Sequence, residues 1–227
     1  MPAGVSIAGD PAPVLLVYSG PMEPRTVFTA LVSIVAAYFI GGIPWGVVVA
    51  RLVGGPDPRT IGSGRTGGAN TLRALGPRGA LVAGLLDVTK GALAVLVSIG
   101  LGGGIVIQTL AALGAIVGHS RSPYISFGGG RGVAPGIGSL LVNQPLAGLA
   151  ILPVFLIVLV VSRYSSLASL AASAAGGVAV VAIALAAQLP AGYVFYAVAV
   201  PALIWLFHHD NIGRLLSGRE RKIEFWH

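Results

Sequence analysis

The sequence predicts an all-α integral membrane protein, a seven-helix transmembrane bundle with one short or half-length segment. Three observations predict it: an extreme apolar composition, uncharged runs of helix length, and basic residues gathered on alternate loops. The chain has 227 residues, 55% of them hydrophobic and 9% charged, against about 25% charged in a typical soluble domain. Lipid is therefore the solvent for most of the chain. There is no cysteine, which excludes a disulfide framework, a thiolate nucleophile and a Cys metal site.

Residues 1–26 are read as an N-terminal extension, expected to be poorly ordered. The only apolar run in it, Val14 to Tyr18, is short and is preceded by no basic residue, a poor match to a signal peptide. The membrane domain is taken as 27–227. Val27 to Ala50 carries no charge and as a helix would extend about 36 Å, enough to cross a bilayer. Ala80 to Leu101 makes a second span and Ile105 to Gly118 a shorter third. Val133 to Val142 is too short to cross, and Leu146 to Val161, Leu167 to Ala187 and Tyr193 to Phe207 complete the set. Runs such as Ile151 to Val161, "ILPVFLIVLVV", do not alternate as barrel strands would, so the backbone must satisfy itself within helices. The 34 glycines suit close approach between membrane helices.

Placing the N-terminus outside puts Arg51, Arg59, Arg65, Arg73, Arg78, Arg121, Arg131, Arg163, Arg214, Arg219, Arg221 and Lys222 on one side, and Arg25 alone on the other. That asymmetry predicts cytoplasmic loops and C-terminus. The formal net charge is +7, but the arginines punctuate apolar runs and do not line a polar face. A membrane surface and an anionic small molecule are the expected partners, not nucleic acid.

Three polar clusters fall on the basic side. In Arg59 to Gly79, the glycines 62, 64, 67 and 68 around Ser63 can turn backbone N–H groups toward an anion, with Asn70 and Arg73 as side-chain donors. The spacing is not a Walker A loop, and the plainer reading is a flexible loop whose arginines anchor topology. In Gly118 to Gly136, His119 closes an apolar span, and Arg131 sits among glycines with no carboxylate nearby. It lies just before a possible helix start, which also favours an anion. His119 taken alone reads more readily as an interfacial anchor than as a catalyst. In His208 to Glu220, His208, Asn211 and Arg214 recur at helical spacing as the last span leaves the membrane, although a juxtamembrane basic patch has the same composition. Asp87 and Lys90, three apart, are expected to form a buried supporting ion pair.

Together, "IPWG", "GSG" with "AN" and Arg73, "LLDVTKG", "GH", "GGGRGVAPG", "SRYSSLASL" and "HHDNIGRLLSGRE" set up a specific likeness. From Ile43 to Glu220 the chain resembles the bacterial acyl-phosphate:glycerol-3-phosphate acyltransferase family, known as the PlsY family. The resemblance implies a multi-pass enzyme of the bacterial inner membrane working in phospholipid biosynthesis. It would transfer a fatty acyl group from acyl phosphate to position 1 of glycerol-3-phosphate, giving lysophosphatidic acid and phosphate. Ser63, Arg73, Arg131, His208 and Asn211 would be the catalytic residues, with His119 as a further candidate for proton handling. Ser63, Gly64, Asn70, Arg73, Gly129, Gly130 and Arg131 would bind substrate phosphate. No cofactor, metal or obligate protein partner is implied.

The chain departs from the family's GSGN-x-GATN, with Arg65 for the first Asn, Gly68 for Ala and Ala69 for Thr. It departs again from KGGKGVAT, where Gly128, Arg131 and Pro135 replace both lysines and the Thr. Arg131 keeps the charge but not the geometry of a lysine. A transporter of an anionic metabolite and a non-catalytic divergent paralogue stand as alternatives at this level; inverted repeats would mark the first.

Overall fold

A computed structural model describes residues 23–223, and the expectation for residues 1–26 falls, up to residue 22, outside them. Among the described residues there is no strand, and nine α-helices account for all seven apolar segments: α1 (Pro24–Gly42), α2 (Trp45–Leu52), α3 (Gly68–Gly100), α4 (Ile105–Ser120), α5 (Val133–Asn143), α6 (Pro145–Ser162), α7 (Ser165–Ala186), α8 (Gly192–Phe207) and α9 (His209–Leu216). Four spans are long and apolar enough to cross a membrane, Pro24–Leu52, Gly68–Gly100, Pro145–Ser162 and Ser165–Ala186, and a fifth is counted when α8 and α9 are taken together. The protein is a multi-pass membrane helix bundle. α4 and α8 have 16 residues each and α5 has 11, while α2 and α9 are short pieces of 8.

Three breaks in these helices correct the plain hydropathy reading, and each has a local cause. The first span divides at Ile43–Pro44 into α1 and α2, because Pro44 has no N–H to continue the ladder. α3 begins at Gly68, twelve residues before the expected start at Ala80, and is interrupted where Gly76 adopts φ 67°, ψ −174° ahead of Pro77. Part of the first polar cluster, expected as loop, is thus a short helix. The last span bends by 67° between α8 and α9, so His208 sits at the corner and not on one continuous face with Asn211 and Arg214.

α1 packs on α4 and α3, α5 lies against α3, and α6, α7 and α8 form the other side of the bundle, with α4 also touching α8. The core between them is built from Val95, Ile116, Leu140, Ile151, Tyr196, Val200 and Ile204. The Tyr196 hydroxyl is satisfied inside it by Ser139 Oγ at 2.8 Å, as a buried phenol requires. Leu31, Val35, Leu156, Ile157 and Val160 point outward, where lipid is their solvent. The contact that positions the site is α3 on α5. A Cβ at Gly91 would strike the backbone of Pro135, and one at Gly138 the backbone of Val88. Only glycine at both crossings lets the short α5 lie this close to α3.

Candidate active site

One end of the bundle holds a cavity of about 450 Å³. The residues around it come from all three polar clusters: Ser63, Asn70 and Arg73; His119 and Arg131; and His208, Asn211 and Arg214. Its other wall is apolar, with Leu81, Leu85, Val88, Ile137, Phe155 and Leu159.

Two helix N-termini open into this cavity. α3 starts after Gly67 and α5 after Gly132, and neither has a side-chain cap. Gly67, Gly68 and Ala69 line the cavity from α3, and Val133 and Ala134 from α5. Uncapped amides at a helix N-terminus carry partial positive charge, and each such end is a place for an anion.

Arg131 lies at the α5 end. Its Nε is buried and has no hydrogen-bond partner among the described residues. Burial pushes its guanidinium down to about 10, and the like charges of Arg65 and Arg214 push the same way. A buried cation without a partner is costly, and an incoming anion removes that cost. Across the cavity, Asn70 organises the other donors. Its Nδ2 donates to Ser63 Oγ (3.0 Å) and to the carbonyl of Arg65 (2.9 Å), while its Oδ1 accepts from Arg73 Nη1 (3.1 Å). Ser63 Oγ, acting as acceptor here, keeps its own proton free to donate. Arg73 Nη2 also reaches the carbonyl of Lys222 at 3.4 Å, a neutral partner that leaves its charge uncompensated.

The third cluster is organised by Glu220. Its Oε1 accepts from Ser166 Oγ (2.8 Å) and Asn211 Nδ2 (2.6 Å), and its Oε2 from Arg214 Nε (2.7 Å). Burial alone would raise this carboxyl, but those hydrogen bonds together hold it below the usual carboxylate range. With Nδ2 engaged, Asn211 presents Oδ1, which is buried and has no partner, as an acceptor. His208 bonds through Nδ1 to the carbonyl of Ile204 at 2.8 Å. A carbonyl only accepts, so Nδ1 carries the proton and Nε2 is left for a ligand.

His119 is held differently. Lys90 Nζ lies 2.7 Å from Asp87 Oδ1, 2.8 Å from the carbonyl of Ile43 and 2.9 Å from His119 Nδ1. The contact with Asp87 is an ion pair, and the ammonium, which can only donate, gives protons to the Ile43 carbonyl and to the His119 lone pair. His119 is then a neutral imidazole whose one lone pair is already taken. Its carbonyl accepts the Gly130 N–H at 3.0 Å, and a Cβ at Gly130 would sit on the ring's Nε2. The glycines before Arg131 thus serve close packing of that loop on His119.

This geometry agrees with one kind of protein. The model of the family described as glycerol-3-phosphate acyltransferase matches residues 31–218. The chain belongs to this family. Glycerol-3-phosphate acyltransferase 2 of Moorella thermoacetica is 43% identical over 199 residues, covering 85% of this chain and 97% of that protein. Glycerol-3-phosphate acyltransferase 3 of Dehalococcoides mccartyi strain CBDB1 is 36% identical over 205 residues, covering 85% and 95%. The crystal structure of PlsY, an integral membrane glycerol 3-phosphate acyltransferase, in its glycerol 3-phosphate form, superposes with a TM-score of 0.76 at 34% identity, covering 86% of this chain and 96% of that one. Its lysophosphatidic acid form gives the same TM-score at 33% identity. The chain is therefore an acyltransferase of phospholipid synthesis, in a family whose named members are bacterial.

Measured against the residues singled out from sequence, Ser63, Asn70, Arg73, His119, Arg131, His208 and Asn211 all reach the cavity. Gly64, Gly129 and Gly130 are not among the residues lining it. Two of the amides expected to face an anion are already engaged, since Gly64 N–H donates to the carbonyl of Ile61 (3.2 Å) and Gly130 N–H to that of His119. Helix-end residues and side chains line the cavity instead. Sequence reasoning missed Glu220 and Ser166 as organisers, and it missed the α3 N-terminus. The one signal for Glu220 was its position as the lone carboxylate among Arg214, Arg219, Arg221 and Lys222.

Proposed function

We propose that the protein transfers a fatty acyl group from acyl phosphate to position 1 of glycerol-3-phosphate, releasing inorganic phosphate and lysophosphatidic acid at the cytoplasmic surface. The observation that carries this reading is the buried, unpartnered Nε of Arg131 beside two uncapped helix N-termini. Two anion positions suit two phosphorylated substrates. The α5 end with Arg131 receives one phosphate, and the α3 end with Ser63 and Arg73 receives the other.

In the transfer, the glycerol-3-phosphate hydroxyl attacks the acyl carbon. The new ester C–O bond forms as the bond from the acyl carbon to the phosphate oxygen breaks, and the proton leaves with phosphate, itself a base. Acyl phosphate is a mixed anhydride with a good leaving group, so holding the partners in line supplies much of the rate. Asn211 Oδ1 and His208 Nε2 are both acceptors and take one hydroxyl proton of glycerol-3-phosphate each, which orients the attacking oxygen, while Arg131 and Arg73 neutralise charge on the phosphates as it grows. His119 takes a supporting part: with its lone pair on Lys90 it positions the Arg131 loop and does not act as the base. The apolar wall from Leu81 to Leu159 accommodates the start of the acyl chain, the remainder lying in lipid.

The test is direct. Purified protein in detergent or lipid, given labelled glycerol-3-phosphate and a synthetic acyl phosphate, is expected to form lysophosphatidic acid, with inorganic phosphate competing. Acyl-CoA and acyl carrier protein are expected to give no product. Equal or faster turnover with acyl-CoA would overturn the choice of donor, and no turnover with any donor would favour a paralogue that has lost the activity.

A further inference from the structure

Arg65 stands where the pattern that the chain resembles has a neutral Asn, and it is the one cavity cation whose partner is as exposed as it is weakly held. Its Nη2 lies 3.0 Å from Asp210 Oδ2, across the gap between the first polar cluster and α9, with 22% of the Arg65 side chain and 40% of that of Asp210 exposed. The other carboxylate oxygen of Asp210 is 2.8 Å from His209 Nε2, so the carboxylate has a second polar neighbour. A pair this open to solvent is a poor clasp between two elements.

Other features point inward. Arg65 lines the same cavity as Arg131 and Ser63, and Arg131 feels its charge as a nearby repulsion. Replacing a neutral amide by a guanidinium therefore raises the positive potential of a site that already holds an unpartnered cation. That costs the empty protein and repays it only when an anion is bound. A guanidinium has five donors, and Asp210 receives one of Arg65's at hydrogen-bonding distance, which leaves a forked face for a second acceptor. A phosphate dianion in a partly desolvated cavity competes well against a carboxylate exposed to water and next to His209.

We propose that Arg65 is a further phosphate ligand of this site, held on Asp210 in the empty protein and drawn inward by the anionic substrate. The proposal rests on the acyltransferase reading for the identity of that substrate, but its test needs no turnover. Inorganic phosphate is titrated against the thermal stability of wild-type protein and of Arg65→Asn, Arg65→Lys and Asp210→Asn, and KM for glycerol-3-phosphate and acyl phosphate is measured alongside. Loss of a charge-assisted contact is expected to weaken phosphate binding about tenfold or more in Arg65→Asn, with Arg65→Lys between it and wild type. Asp210→Asn frees the guanidinium and is expected to tighten binding. If the pair were only a clasp, Arg65→Asn and Asp210→Asn would weaken binding equally; that result, or unchanged binding in Arg65→Asn, overturns the proposal. Failure of wild-type turnover with intact phosphate titration would instead count against the acyltransferase reading alone.

Discussion

Lys90 is a buried cation and Arg131 a half-buried one with its Nε buried, and the fold treats them in opposite ways. Lys90 is surrounded by Asp87, Ile43 and His119 at bonding distance, so its charge is spent on structure. Arg131 keeps a donor buried without an acceptor, and a free donor in a cavity has value only to a ligand. Replacing Arg131 by Ala is expected to remove a contact worth roughly 1.5 to 3 kcal/mol, about 10-fold to 150-fold in kcat/KM. Arg131→Lys keeps the charge and is expected to lose less. Steady-state kinetics on variants of matched expression checks both, and an Ala variant with wild-type kinetics would mean that the guanidinium serves topology and not chemistry.

Among the elements, the turn from α8 into α9 has the largest consequence. The 67° bend goes with an α9 whose Asn211 and Arg214 line the cavity, where Glu220 binds it to Ser166 at the start of α7. In Glu220→Gln the amide oxygen can still accept from Ser166 and Asn211, but the amide nitrogen is a donor facing Arg214 Nε–H, so the bond to Arg214 is lost. The expected result is a lower Tm together with lower activity, since Arg214 loses the partner that ties α9, and Asn211 with it, in place. The sign of the pH dependence follows from the depressed carboxyl. Its contribution to stability is complete above the unfolded pKa and is lost as pH falls through the lower folded one. Thermal scans of wild type should therefore show an acid-side loss of Tm that Glu220→Gln reduces.

For the whole molecule, the loops bearing the arginines meet at the end that holds the cavity. Arg65 and Asp210 touch there across 145 residues, and the Ile223 N–H closes on the carbonyl of Arg163 at 2.8 Å. The same residues that bias insertion thus also build the site. We infer that this end faces the cytoplasm. The absence of native cysteine makes single-Cys labelling clean: in intact cells a Cys at Ser217 is expected to be protected from an impermeant thiol reagent, and one at Ala3 to react. Labelling of Ser217 from outside would reverse the orientation.

Hydropathy, helix length and charge asymmetry are local or additive quantities, so the sequence alone determined that this is a helical membrane protein. It determined where the apolar segments run. The motifs around Ser63, Arg131 and His208 also marked the cavity's lining without knowledge of the fold. Tertiary structure alone decided which donors are free. Gly64 and Gly130 read as anion cradles until their N–H groups are seen to be taken, and His119 reads as a proton carrier until Lys90 is found on its lone pair. The physical reason is that each donor or lone pair is consumed by whichever acceptor or donor the fold brings nearest. Those partners lie 29 residues apart for Lys90 and His119 and 145 for Arg65 and Asp210, beyond the reach of any local pattern.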